Sequence, residues 1–154
     1  MHIIYHCSWG SHASAIAAAI HLKMLPRDHI PSKNDISNMP FFDTIEKVDV
    51  GKIIFRGMDE HGHSIYTLAC QKVPHLVLPA VEDMWHTLGQ RKDQLLVIDM
   101  GSKSNLSMKL GGYFSRKLNR VNLGRPILLR GTCTVYPMIA HAVEDIKATL
   151  TPLM

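Results

Sequence analysis

The sequence predicts an α/β fold, a three-layer sandwich with a mostly parallel sheet and one β-hairpin, formed as a single domain over residues 1–154. Three observations favour this class. Short β-rich runs alternate with longer segments of helical periodicity, as in βαβ units. The run Leu95–Ile98 is continuously aliphatic, which is typical of a strand buried on both faces of a parallel sheet. Two β-rich runs around a polar, glycine-containing loop indicate the hairpin.

An apolar strand and an alanine-rich helix open the chain. Ile3–His6 is short and apolar, which predicts a buried strand. Ala13–Met24 combines alanine, the strongest helix former, with isoleucines at helical spacing, and therefore predicts a helix. The helix is expected to end before Pro26, because the residue preceding a proline avoids the helical region.

A short helix and the hairpin come next. Ser32 with Asp35 three positions later resembles a capping box, which predicts a short helix over Lys33–Met39. The hairpin strands are predicted at Lys52–Arg56 and Ser64–Ala69.

The second half of the chain alternates helices and strands. Pro79 is expected in the first turn of a helix that Gly89 caps. The further predicted elements are the strand Leu95–Ile98, a helix Asn105–Leu118, a buried strand Ile127–Arg130 and a last helix Tyr136–Leu150.

Composition excludes several classes of protein. With 46% hydrophobic and 19% charged residues the chain is globular. It has no apolar run long enough for a membrane helix and no leader pattern, so we expect a cytoplasmic protein that does not enter membranes. The three cysteines, Cys7, Cys70 and Cys133, are too sparse for a disulfide framework and lack zinc-site spacing. We predict no metal or cofactor, and expect His61 and His63 of the hairpin loop to be solvated.

The net charge of +4 is a mild basic bias. The densest basic segment, Arg116–Arg130, fits either a solvated surface or a patch for anionic ligands. It lacks interleaved aromatic residues, which argues against nucleic acid as a partner. Self-association stays open at this point.

Three polar loops follow the predicted parallel strands and should share one rim of the sheet, where ligands bind in open α/β folds. They are "CSWGSHAS" (7–14), "DMGSKSN" (99–105) and "GTCTVYP" (131–137).

The first loop has the features of an anion site. A helix N-terminus offers unpaired amide groups and a partial positive charge, and Gly10 permits close approach of a ligand. Ser11 and Ser14 are candidate donors to phosphate oxygens. Cys7 is a candidate nucleophile, since a helix N-terminus lowers a thiol pKa, and His12 a candidate acid or base. Burial of Cys7 in the core and simple capping by Ser14 are the structural alternatives.

The other two loops add Asp99 as a candidate acid and Thr132 as a candidate anion ligand. Asp99 fits equally well as the cap of its turn. The first loop is neither a Walker loop, which needs a lysine, nor a tyrosine-phosphatase loop, which needs arginine at the position of Ala13. It is more similar to the phosphocysteine loop of sugar-phosphotransferase IIB components, at Cys7, Ser8, Gly10 and Ser14.

Over nearly its whole length the chain resembles an uncharacterised bacterial family, a domain of unknown function found mostly in spore-forming bacteria. The resemblance rests on "IIYHCSWGSHAS", "AAAIHLKMLP", "GKIIFRGMDEHGHSIYTL", "GGYFSRKL" and "LGRPIL". It implies one cytosolic α/β domain and brings no established activity.

The sequence therefore predicts binding of phosphate, or of a phosphorylated small molecule or nucleotide, at the Cys7–Ser14 loop, with phosphoryl or acyl transfer by Cys7 as the enzymatic version. Whether the protein is an enzyme is left open. The alternative is a non-catalytic nucleotide-binding or protein-interaction module linked to sporulation.

Overall fold

The computed structural model describes residues 1–44, 46 and 49–150. The elements in chain order are β1 (His2–Cys7), α1 (Ala13–His21), α2 (Lys33–Ser37), β2 (Ile53–Met58), β3 (Ser64–Ala69), α3 (Pro74–Thr87), β4 (Leu95–Asp99), α4 (Leu106–Gly112) and α5 (Val121–Leu150). A π-helical turn, Tyr113–Lys117, joins α4 to α5.

The strands form an open four-stranded sheet in the order β2-β3-β1-β4. β1 runs parallel to both β3 and β4, and β2 runs antiparallel to β3. In this register Cys7 lies beside Ala69, and His6 beside Asp99. The carboxyl ends of β1, β3 and β4 therefore meet at one edge, where we expected the first two loops.

Successive residues of β1 contribute to two hydrophobic clusters on opposite faces of the sheet. Ile3 and Tyr5 belong to the larger cluster, with α1, α2, α4 and α5. Ile4 belongs to a small cluster with Leu68, against which α3 packs. The mixed α/β class, the mostly parallel sheet and the hairpin are confirmed. The three-layer sandwich is not, because the second face carries α3, which has no buried residue.

The predicted strand at Ile127–Arg130 is wrong, because these residues lie inside the 30-residue helix α5. The aliphatic run was short enough to fit either a strand or a buried helical segment. Residues buried along α5 recur every three or four positions from Leu128 to Val143. Close packing against α4 fixes the choice: a Cβ on Gly111 would lie 2.4 Å from the Leu128 amide nitrogen.

Several boundaries also differ from prediction. α1 ends at His21, and α3 begins at Pro74, so that Pro79 lies inside the helix and not in its first turn. β4 is an edge strand and is only partly buried, so burial on both faces was wrong. The capping box at the start of α2 is confirmed, with Ser32 and Asp35 in reciprocal hydrogen bonds.

None of the described helices is long and apolar enough to cross a membrane.

Candidate functional site

The Cys7 thiol lies at the end of β1, where the loop to α1 folds back over it. The Gly10 amide donates a hydrogen bond to Cys7 Sγ at 3.2 Å, and Ser14 Oγ lies 3.1 Å from the same sulfur. Cys7 is buried, with 4% of its surface exposed. The sulfur therefore contacts two polar groups of the loop, one of them a backbone donor.

The loop conformation depends on glycine at position 10. Gly10 has φ = 67°, in the left-handed region, and a Cβ there would lie 2.8 Å from the backbone nitrogen of Ala69. Glycine is therefore required for both the backbone angle and the close approach of the loop to β3. The Cys70 and Gln71 amides donate hydrogen bonds to the carbonyls of Cys7 and Ser8, and these bonds fix the contact.

The first turn of α1 has unpartnered amide groups. His12 occupies the N-cap without a side-chain hydrogen bond, and no described residue accepts from the amides of residues 11–15. Ser14 does not cap the helix, because its hydroxyl faces Cys7. The Ser11 hydroxyl is buried and has no hydrogen-bond partner among the described residues. Free amide groups and the positive end of the helix dipole coincide at this helix start, a combination that favours an anion, and the residues that form it are buried.

The His12 ring contacts a buried carboxylate, that of Asp43. Its Nε2 lies 3.0 Å from Asp43 Oδ1. The ring packs against Gly112, where a Cβ would lie 2.7 Å from His12 Cε1. His12 therefore belongs to a different set of contacts from the thiol, although the two residues share one loop.

Asp43 holds several distant segments against the loop, and we call His12, Asp43, Ser115, Arg116 and Arg125 the Asp43 centre. Ser115 Oγ donates to Asp43 Oδ2 at 2.6 Å, and the Asp43 amide donates to the Ser11 carbonyl. The Nε atoms of the two arginines lie 2.9 and 3.5 Å from the carboxylate oxygens. Burial favours the neutral acid, but the hydrogen bonds from His12 and Ser115 outweigh it and hold the Asp43 pKa below its ordinary value.

A family model described as "Protein of unknown function (DUF3189)" matches residues 2–148. The chain belongs to the DUF3189 family. This confirms the resemblance to an uncharacterised domain of unknown function. Among curated proteins and among solved structures, no significant match to the chain was found.

Asp99 of the DUF3189 chain lies at the same rim as Cys7, one strand away. Its side chain is 54% exposed, and Oδ1 accepts the Gly101 amide at 2.7 Å. Asp99 therefore caps the turn that follows β4 and also lies at the rim of the sheet. Asp99 also lies 3.9 Å from His6 Nδ1, but burial lowers the pKa of His6 despite the opposing effect of Asp99.

Cys70, which follows β3, is disfavoured as a thiolate. Burial, together with the nearby charges of Cys7 and Asp99, raises the pKa of the Cys70 thiol to about 11. Cys70 belongs to the small cluster that packs against α3, whereas Cys7 belongs to the larger cluster on the opposite side of the sheet.

Thr132 does not follow a strand. With the predicted strand absent, Thr132 is a buried residue in the middle of α5, and its hydroxyl donates to the Leu128 carbonyl at 2.9 Å. The structure thus brings together Cys7, Gly10, Ser11, His12 and Ser14 in the loop, with Asp99 on the neighbouring strand end.

Sequence reasoning missed Asp43, and it named Arg116 and Arg125 without a role. One signal was available: Asp43 follows the aromatic pair Phe41–Phe42, both buried, and a carboxylate adjoining a buried pair needs a charged or donating partner. Arg116 and Arg125 of the basic segment are these partners, 73 and 82 residues further along the DUF3189 chain. At such a separation the spacing of residues in the sequence does not indicate which of them are in contact.

Proposed function

We propose that the Cys7–Ser14 loop binds phosphate or a phosphorylated small molecule, including a nucleotide, and that Cys7 transfers the phosphoryl group. The observation that carries the proposal is the unpartnered first turn of α1 beside a thiol that already receives the Gly10 amide. The buried Ser11 hydroxyl, without a partner in the described chain, supports it. Ser8 is exposed and Trp9 partly so, which gives the ligand its approach to the loop.

In the catalytic version the Cys7 thiolate attacks phosphorus. An S–P bond forms as the bond from phosphorus to the leaving oxygen breaks, and Asp99 donates the proton to that oxygen. Water then attacks phosphorus, Asp99 takes up a proton, and the S–P electron pair returns to sulfur. His12 is reserved in this scheme for holding the loop, since its Nε2 is engaged by Asp43.

The burial of Cys7 favours a second candidate, a module that binds the same anion without chemistry. A thiol with 4% exposure leaves little room for attack unless the loop moves. In that case the protein would report the bound ligand to a partner. The family resemblance supports a cytoplasmic location and is the sole support for a link to sporulation.

Inorganic phosphate and p-nitrophenyl phosphate together test the proposal. Phosphate should raise the melting temperature of the wild-type protein and of Cys7→Ser, because the amides remain. Hydrolysis of p-nitrophenyl phosphate should disappear in Cys7→Ser and persist in Cys133→Ser, a matched control whose thiol lies in α5. Stabilisation without hydrolysis in the wild type would select the binding module. Absence of phosphate stabilisation in every variant would exclude the anion site itself.

A further inference from the structure

The sheet face opposite α1 exposes an unusual amount of apolar surface. Ile53, Phe55 and Met58 of β2 pair with Leu68, Tyr66 and Ser64 of β3, and therefore point to the face covered by α3. The irregularity in register between Phe55 and Gly57 keeps Met58 on that face.

The helix on this face is exposed as well. Leu76, Met84 and Leu88, on or just after α3, are 60 to 66% exposed, and the three β2 residues are 45 to 62% exposed. A cavity of about 630 Å³ separates α3 from the sheet and is lined by residues of both groups, including Ile53, Met84 and Leu88. We call these six residues the α3 face: Ile53, Phe55, Met58, Leu76, Met84 and Leu88.

The area of the α3 face is close to that of one side of a protein interface. At roughly 200 Å² for a large side chain, six side chains exposed by about half to two thirds present on the order of 700 Å². The largest apolar patch of a typical monomer is about 300 to 600 Å². A standard interface buries about 800 Å² on each partner, so the α3 face approaches the size that a stable dimer needs.

We propose that the α3 face binds a second copy of this chain in a two-fold dimer. The α3 face consists of a raised helix, α3, beside a depression that is formed by the cavity and by the exposed strand β2. A two-fold axis would place α3 of each copy over β2 of the other, so that one patch serves both partners. A small ligand in the cavity would leave Phe55 and Met58 uncovered, because neither residue lines it. A second copy covers both.

Sedimentation velocity over a wide concentration range tests the dimer. The wild type should sediment as a dimer, and Phe55→Glu and Leu88→Glu should each weaken association by at least about tenfold, since a buried charge replaces an apolar contact. Both side chains are exposed in the chain, so the variants should keep their far-ultraviolet circular dichroism. The matched control is Leu106→Glu, which is 72% exposed on α4, on the other side of the sheet, and should leave the dimer intact.

A monomer at all concentrations would overturn the proposal, as would equal weakening by Leu106→Glu. Species larger than a dimer would exclude the two-fold arrangement. A monomer that binds an apolar dye, with loss of binding in Leu88→Glu, would assign the cavity to a small ligand and contradict the second copy.

Discussion

Two buried aspartates hold the two ends of α1, and their surroundings differ. Asp43 pairs with His12 at the N-terminal end, and Asp59 pairs with His21 at the C-terminal end, each at 3.0 Å. Burial opposes the charged form of both carboxylates, but hydrogen bonds, and for Asp43 also the charges of His12 and Arg116, hold both aspartate pKa values below normal. The helix is thus anchored twice by the same type of pair.

The partners of Asp59 are almost all local. Its carboxylate accepts the amides of His61 and His63 and the His63 ring, all from the same hairpin loop. His21 is a distant donor, and the Tyr5 hydroxyl lies 2.7 Å from the other nitrogen of its ring. The expectation that His63 is solvated was therefore wrong. This set of contacts attaches the hairpin to α1 and leaves the carboxylate no capacity for a ligand.

The partners of Asp43 come from far along the chain, and two of them are arginines. Ser115, Arg116 and Arg125 lie on the π-helical turn and on α5, and Asp43 binds the Ser11 carbonyl of the candidate loop. The comparison teaches that one aspartate closes a local loop, whereas the other assembles the surroundings of the anion site from four segments. Loss of Asp43 should therefore have wider consequences than loss of Asp59.

The largest effect is expected from Asp43→Ala. Two guanidinium groups would lose a buried counter-charge, which costs about 3 to 5 kcal/mol of the free energy of unfolding. Asp59→Ala should cost about 1 to 3 kcal/mol, because it leaves hydrogen-bond donors unsatisfied but no arginine. Urea unfolding followed by circular dichroism measures both. Phosphate should still stabilise Asp59→Ala. It should not stabilise Asp43→Ala, tested below the unfolding temperature of that variant. Equal behaviour of the two variants would contradict the view that only Asp43 supports the anion site.

A smaller effect should follow from Gly112→Ala, which disturbs the Asp43 centre without removing a charge. The new Cβ would push the His12 ring, 2.7 Å away, off its contact with Asp43. Overpacking of this kind costs about 1 to 3 kcal/mol. The counterpart in the Asp59 region is Gly62→Ala, where φ is 79° and the Cβ meets nothing within 4 Å, so only backbone strain of about 1 kcal/mol is expected.

A double-mutant cycle separates these causes. Gly112→Ala should be nearly neutral in a His12→Ala background, because the clash is gone, whereas Gly62→Ala should cost the same in both backgrounds. Additive costs for Gly112 and His12 would show that the clash is not with the ring.

Local patterns predicted the parts of the fold that local interactions decide. β1, the hairpin, the capping box of α2 and the loop before α1 all follow from residue type and spacing within a few positions. The strand predicted at Ile127–Arg130 failed because packing against Gly111 outweighs the local signals of Pro126 and Pro137, both of which lie inside α5.

The candidate site was predictable to the same extent. The loop residues are contiguous, so the sequence places Cys7 and Ser14 together, and their hydrogen-bond distance follows from the turn. The Asp43 centre joins Asp43 to residues up to 82 positions away, and such a set is created only by the tertiary fold. The helical position of Thr132 was missed for the same reason, since its assignment to a loop depended on the absent strand.

The smallest predicted effect is a pH dependence of stability that arises in the Asp59 region. Burial lowers the pKa of His21 despite its hydrogen bond to Asp59, so the unfolded chain binds a proton at higher pH than the folded chain does. Stability should therefore fall as the pH drops below about 6.5, with His6 contributing in the same direction. The depressed pKa of Asp59 adds a further loss of stability only below about pH 4, where the unfolded carboxylate takes up protons.

Melting temperatures from pH 7 to pH 5 should decline less steeply in His21→Gln than in the wild type. The control variant His141→Gln, at a side chain that is 76% exposed, should follow the wild type. An unchanged slope in His21→Gln would mean that the buried imidazole between Tyr5 and Asp59 does not govern this range of pH.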